Sequence, residues 1–442
     1  MSPHAPTPSD TAALPSLDTA FGPDPYPRYA QLREAAPVHQ VLGPDGVPIW
    51  LVTRYADARA ALADPRLSLD RRNAAPGKYA GLSLPPVLDA NLLNMDGADH
   101  SRLRRLVAPA FSAARMDALR DRVREVAAGL LADAARQSGP VDLVEAYAAP
   151  LSLTLLCDIL GVDRAESRRF HGWTALLLAP ATATRAQLQE ALEGVVASLA
   201  RQIAAKRAEP GADLLSALVT AHDGDDRLSA DELLSLAFLL LLAGYENTIS
   251  AITATVLAVV TEPGLRQRVA ADPAVVPALV EEVIRHDGPV ELAIRRFPVE
   301  DLEIGGVLIP AGEPVLIAVG SAHRDPDAFD DPDALSPERP RTGSGHLGFG
   351  HGPHYCLGAA LARLETTTAL SVLLEQHPEA VLALPREELR RRPSIRTRGL
   401  AALPVLLDPA QGEPAQDEAA QGEAAQDEPA GPAADGAGVG RA

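Results

Sequence analysis

A thiol set among glycines is the most reactive arrangement in this 442-residue chain. Cys356 lies in HLGFGHGPHYCLGAALARLE (346–365), after Gly348, Gly350 and Gly352 and two residues before Gly358, and an Ala/Leu-rich helical pattern follows it. A sulfur at the start of a helix meets N–H groups without helical partners and the positive end of the dipole, and both favour thiolate over thiol. Glycines let backbone pack close to a flat ligand and turn N–H groups toward the sulfur. The pattern suits a thiolate metal ligand; the plainer reading is a structural cysteine beside a turn.

Phe349, Gly350, Gly352, His354, Cys356 and Gly358 follow the order F-G-x-G-x-H-x-C-x-G. With that order the chain resembles the cytochrome P-450 superfamily, in its soluble bacterial class. The resemblance runs from about residue 22 to residue 407. It implies a single large domain over 22–407, mainly α with small β-sheets. It also implies heme b (iron protoporphyrin IX) as cofactor, Cys356 as the iron ligand, and Phe349, Gly350 and Gly358 packed around it. Thiolate donation to haem iron favours O–O cleavage, so the implied activity is that of a haem-thiolate monooxygenase.

A lone acid in an apolar run is the second centre. Residues 233–260, LLSLAFLLLLAGYENTISAITATVLAVV, hold one charged residue, Glu246, in 28. A membrane span would place that carboxylate at the most costly depth. A core helix of about 42 Å, at ~1.5 Å per residue, explains the composition equally well. The resemblance assigns this run to the helix over the open face of the haem, where the pattern is [AG]-G-x-[DE]-T. Ala243 and Gly244 would open the oxygen groove and Glu246 would deliver protons, which a buried carboxylate can do where water reaches it. Asn247 stands where the alcohol is usual, and Thr248 follows. One residue turns about 100° on a helix, so Thr248 is expected to bond back to a helix carbonyl. Asn247 can hold a water but is not an acid like an alcohol.

Other residues would position the cofactor and the core. His100 and Arg104, four apart in DGADHSRLRRLV (96–107), match the family's H-x-x-x-R pair for the haem propionates. His354 and Arg296 complete that set, with Arg295 the alternative if the register slips. Glu282 and Arg285, three apart, share a helix face and match the family's E-x-x-R scaffold pair. Its usual third member, an arginine, aligns with Ala334; Arg339 or Arg341 could stand in, or the triad could be a pair. VEDLEIGGVLIPAGEPV (299–315) alternates as short strands with Gly-Gly and Ala-Gly turns.

The composition of the whole chain agrees. Two cysteines, Cys157 and Cys356, imply no disulfide framework. The N-terminal segment 1–21 is polar and proline-broken, unlike a signal peptide, so a cytoplasmic protein without a membrane anchor is expected. A net charge of −19 argues against nucleic acid. The segment 408–442 repeats AQGEP, AQDEA, AQGEA, AQDEP and reads as a disordered acidic tail. Seven arginines (Arg102, Arg104, Arg105, Arg115, Arg120, Arg122, Arg124) stand between Ser101 and Arg124 with two aspartates. They form either a solvated face or, by resemblance, part of the docking face of an acidic ferredoxin.

The resemblance further implies a substrate pocket containing Leu239, Ala243, Val290, Glu291, Leu292, Ala293, Ile294 and Leu400. These residues suit a bulky, mostly apolar small molecule such as a polyketide, macrolide or terpenoid of secondary metabolism, with Glu291 as a polar contact. Electrons would come from a separate ferredoxin and its NAD(P)H-dependent reductase, to a monomeric enzyme. Two alternatives stay open: an atypical oxidation linked to Asn247 (C–C coupling, dehydrogenation or peroxide-driven chemistry), and a non-catalytic glycosyltransferase helper. The intact Cys356 loop argues against the second.

Overall fold

The computed structural model describes residues 14–17, 24–79, 88, 91–162, 164–178, 183–223, 226–340 and 345–409. Helices dominate it: α1 (Tyr26–Ala35), α2 (Tyr55–Ala63), α3 (Gly97–Val107), α4 (Arg120–Ala134), α5 (Ala149–Leu160), α6 (Arg164–Leu178), α7 (Arg185–Ala208), α8 (Ala230–Thr261), α9 (Val276–Asp287) and α10 (Ala359–Gln376), with shorter turns between. The expected helical body with small sheets is what the chain forms. Most of the 1–21 and 408–442 segments lie outside the described residues.

α8 is the axis of the body. A capping box closes its N-terminus: Ser229 Oγ accepts the N–H of Glu232, and the Glu232 carboxylate accepts the N–H of Ser229. It stops before Pro263, which drives Glu262 out of the helical region. Apolar on every side between these ends, the helix is suited to burial, and it packs against α5, α7, α9 and α10. By length and composition it could cross a membrane, yet Leu236, Ala237, Leu241, Ile249, Ile252 and Val256 are buried within the main apolar core. Thr248, Ser250, Thr253, Thr255 and Thr261 each donate to the carbonyl four residues earlier, so these hydroxyls need no partner from neighbouring elements.

A three-stranded sheet stands beside the helices. β1 (Val38–Leu42) pairs antiparallel with β2 (Pro48–Val52), which pairs parallel with β3 (Val315–Ile317). Side chains alternate across it: Ile49, Leu51 and Leu316 join Tyr29 and Leu32 of α1, while Val52, Val315 and Ile317 join Tyr55, Ala58 and Leu62 of α2. The strands expected in 299–315 form a hairpin, Leu302–Ile304 against Val307–Ile309, turning on Gly305 and Gly306 at φ 57° and 80°, as a two-residue hairpin turn requires. A second small sheet joins Val141–Asp142, Pro404–Leu406 and Val381–Leu382. It anchors the 391–400 turn, which is closed by an Arg391–Leu400 bridge and tied to Val290 through Thr397.

Glu282 and Arg285 on α9 are both buried and meet through two bonds of 2.8 and 2.9 Å. The third member is Arg339, whose Nε donates to Glu282 Oε1 at 3.0 Å. Arg341 lies outside the described residues. Ala334, at the aligned position, contributes its carbonyl instead, accepting from both Arg285 and Arg339 at 2.9 Å. Arg285 also donates to the carbonyls of His323 and Pro332, so the cluster locks α9 to the 323–339 segment. Burial raises the Glu282 carboxyl's pKa, but Arg285, the Ser336 N–H and Arg339 outweigh it and hold the group ionised.

Candidate active site

α10 begins one residue after Gly358, so the Cys356 loop sits on its N-terminus. The loop is closed by Cys356 N–H to Phe349 O and Gly350 N–H to Leu347 O, both 2.8 Å. Gly352 sits at φ +73°, in the left-handed region, and a Cβ there would also come within 2.8 Å of Ala63 Cα on α2. At Gly358 the opposite holds: an added Cβ would meet nothing within 4 Å. Cys356 is accessible, whereas Cys157 is buried in the main core. The protein around Cys356 pushes its thiol up, against the Gly358 N–H and the charges of Arg104 and Arg363. The thiolate expected from the helix start is therefore not made by this surrounding alone, because desolvation outweighs its three favourable neighbours. A metal cation on the sulfur would supply the missing positive charge.

Beside the loop, α3 brings His100 and Arg104. Arg104 Nη2 donates to Tyr355 O at 2.6 Å. The His100 and His354 rings lie 4.1 Å apart, and His354 Nε2 is bonded to Asp96 Oδ1 at 2.9 Å. Burial pushes the Asp96 carboxyl up, but His354, the Ser68 hydroxyl and the Leu69 N–H outweigh it and hold the group well below the usual carboxylate range. The expectation that His354 faces a propionate is thus corrected for Nε2, which Asp96 occupies. His100 is different. Burial, then His354 and Arg104, bring its pKa down to about 4, so it is neutral at pH 7, and its buried Nε2 has no partner.

Arg296 is 5% exposed, its Nε has no partner, and burial brings its pKa to about 10. Its register neighbour Arg295 pairs with Asp45 at 3.1 Å, so Arg296 is the one turned inward. An unsatisfied buried polar group costs about 1–3 kcal/mol, more when it is charged. Two such donors, an accessible sulfur and open space over Gly358 fit a flat, metal-bearing group that carries carboxylates. These residues fit haem.

On α8, Ala243 is exposed in the middle of an otherwise covered helix, and Leu239, one turn earlier, is half-buried. At Gly244 a Cβ would stand 3.1 Å from Leu156 Cδ2 of α5, a tight approach. Glu246 Oε1 accepts from Thr397 Oγ1 at 3.1 Å. Asn247 Nδ2 donates to Ala243 O at 3.3 Å, and its buried Oδ1 is unpartnered. Thr248 donates to Gly244 O at 2.7 Å, so its hydroxyl is turned into the helix, as the 100° step requires. Sequence reasoning missed Thr397 and its neighbour Arg396, on which the charge of Glu246 acts.

The 290–294 segment divides. Val290, Ala293 and Ile294 stay half-buried, whereas Glu291 and Leu292 are buried. Leu292 packs with Tyr29, Leu32 and Leu316, and Glu291 lies against Tyr29, Arg398 and Gly320. Both are therefore corrected: their contacts with α1, the sheet, Arg398 and Gly320 bury them on the sheet side, not in the pocket. Leu400 is likewise corrected, being 4% exposed within the main core.

The arginine run divides as well. Arg102 pairs with Asp226 and Glu232, Arg122 with Glu125 and Asp158, Arg120 with Asp117 and Arg124 with Glu375. Arg104 stays on the Cys loop, and Arg363, paired with Glu281 at 2.6 Å, covers the Phe349 ring at 4.3 Å.

Residues 168–378 match the family model described as Cytochrome P-450. The chain is 42% identical over 402 residues to the cytochrome P-450 monooxygenase PikC of Streptomyces venezuelae, covering 89% of this chain and 95% of that one. It is 43% identical over 380 residues to the mycinamicin IV hydroxylase/epoxidase of Micromonospora griseorubida, covering 86% and 94%. Its fold matches the ligand-free P-450 monooxygenase TamI with a TM-score of 0.83 at 39% identity, covering 90% of this chain and 95% of that one.

Proposed function

The chain belongs to the cytochrome P-450 family and is a haem-thiolate monooxygenase, and from that premise we propose that Cys356 is its iron ligand and a bulky, mostly apolar secondary metabolite its substrate. The observation that carries the ligand assignment is the contrast between an accessible Cys356 in a glycine-cut loop and a core-buried Cys157. Haem held by a thiolate activates O2 and inserts one oxygen atom into a C–H or C=C bond.

This chain's residues supply the rest. His100 Nε2 and Arg296 Nε are donors for the two carboxylates of the group, and Arg104 steadies the Cys loop through Tyr355 O. Glu246, oriented by Thr397, moves protons at its carboxylate oxygens. The Asn247 amide has a free Oδ1 that can hold a water beside it. Leu239, Ala243, Val290, Ala293 and Ile294 offer an apolar wall to the substrate. A polyketide, macrolide or terpenoid fits that wall, and a relative named for hydroxylating and epoxidising mycinamicin IV supports the choice.

Electrons reach a monomeric enzyme from a separate ferredoxin and its NAD(P)H-dependent reductase, docking on the arginine-rich face that carries Arg115, since Arg102, Arg120, Arg122 and Arg124 pair with acids of this chain. The two separate thiols suit a cytoplasmic setting.

The test is an optical titration of the purified ferric protein with macrolide, terpenoid and aromatic precursors. A thiolate-type spectrum that moves toward high spin with one class supports the assignment and names the class. A Cys356→Ala protein that kept the thiolate-type spectrum would overturn it.

A further inference from the structure

Arg396 is a charged residue that neither the scaffold nor the oxygen chemistry uses. It lies in RPSIRTRG (392–399), the turn that also carries Thr397. Its carbonyl accepts the N–H groups of Glu291 and Leu292 at 2.8 and 3.2 Å, which pins its backbone to the 290–294 segment. The guanidinium is treated differently from those of three neighbouring arginines. Arg391 and Arg398 both pair with Asp287, and Arg392 donates to Leu400 O. Arg396 forms no ion pair and no side-chain hydrogen bond among the described residues.

Its surroundings explain why that matters. The residue is accessible to solvent, and desolvation by the surrounding protein lowers its pKa from the usual arginine value. The charge that acts on it is that of Glu246, and the Tyr79 phenol is the other titratable group it feels. Glu246 is already held by Thr397. Tyr79 is 37% exposed and stacked edge-on over Phe297 at 6.0 Å, so its hydroxyl is available. An unpaired arginine fork matches a carboxylate with two parallel bonds.

We propose that Arg396 is the specificity-determining residue of this enzyme, and that its substrate carries an anionic group, a carboxylate or its equivalent, which pairs with Arg396 while the apolar body lies over Ala243. The idea rests on the monooxygenase reading above and narrows its substrate class. Glu246 and Thr397 remain free for proton movement, since the substrate's charge is met by the next residue along the turn.

Decanoic acid and methyl decanoate, which differ only in the charge, test it. Both are titrated into the ferric holoprotein, by calorimetry and by the optical shift that reports displacement at the iron. The wild type is expected to bind the acid at least about tenfold more tightly than the ester. Arg396→Gln should erase that difference without weakening the ester, and Arg396→Lys should keep most of it. Equal binding of acid and ester, or a preference that survives Arg396→Gln, overturns the assignment. So does calorimetric binding of the acid without any optical shift, because the carboxylate would then sit in the cavity of about 1740 Å³ bounded by Tyr26, Arg396 and Arg398. Loss of the thiolate-type spectrum itself would instead strike the monooxygenase reading, and the calorimetric arm would still report on Arg396.

Discussion

Thr397 and Glu246 lie 151 residues apart in the chain, and the threonine hydroxyl donates to the carboxylate at 3.1 Å. The bond is possible because an antiparallel bridge to Val290 holds Thr397. It fixes which way the only acid in the central apolar run points. Thr397→Val keeps the shape and removes the donor. Product formation is expected to fall about tenfold, the worth of a hydrogen bond to a charged group, with haem content unchanged and a larger solvent isotope effect. An unaltered rate and isotope effect would remove Glu246 orientation from the mechanism.

Asn247→Thr restores the alcohol that the resemblance leads one to expect. The share of NAD(P)H electrons recovered in product should rise and hydrogen peroxide release should fall. If neither changes, the Asn247 position has no part in proton delivery.

Arg296 gives two opposite signs for one substitution. In Arg296→Met a buried cation held only by a long bond to Leu67 O and by the Asp96 charge is gone, so the haem-free protein should unfold at higher urea concentration than the wild type. The same change removes a donor for a carboxylate, so haem should leave at least about tenfold faster to an apomyoglobin acceptor. Both effects moving in one direction would contradict the role given to Arg296.

Arg285→Met leaves Glu282 and the carbonyls of His323, Pro332 and Ala334 without their shared donor. A loss of about 3–5 kcal/mol is expected in urea unfolding, as for breaking a buried ion pair. Arg339→Met should cost less, because Arg285 still faces Glu282. The reverse order would make Arg339, not Arg285, the centre of the cluster.

Glu281 predicts an acid limb. Burial raises its carboxyl, but His346 and Arg363 outweigh burial and bring it down to about 2 from 4.5. A carboxylate whose folded value is depressed stabilises fully above its unfolded value and loses that contribution as pH falls through the folded one. The wild type should therefore lose stability toward Glu281→Gln between pH 4.5 and 2 and differ from it by a constant amount above. Urea midpoints measured from pH 7 to pH 2 check this; parallel curves would show that Glu281 is not the group responsible.

Local patterns were legible in the sequence where spacing alone sets the geometry. The Cys356 loop, the i,i+3 pair Glu282–Arg285 and the back-bond of Thr248 all follow from residues close in the chain. Contacts set by distant segments were not. Asp96 meets His354 across 258 residues, and no motif announces it. Arg339 replaces the arginine absent at Ala334 because, from a different backbone position, its side chain arrives at the same carboxylate. Glu291 was misplaced because its surroundings, Tyr29, Arg398 and Gly320, come from segments distant in the chain.

Five hydroxyls of α8, those of Thr248, Ser250, Thr253, Thr255 and Thr261, close their hydrogen bonds inside their own helix. Such a wall is chemically self-contained, so an apolar neighbour can be exchanged for a larger or smaller one without stranding a donor. Its contour can therefore be rewritten by evolution, one side chain at a time, while the helix that carries Glu246 stays put. A fold built this way can acquire a new substrate at little risk to its own folding.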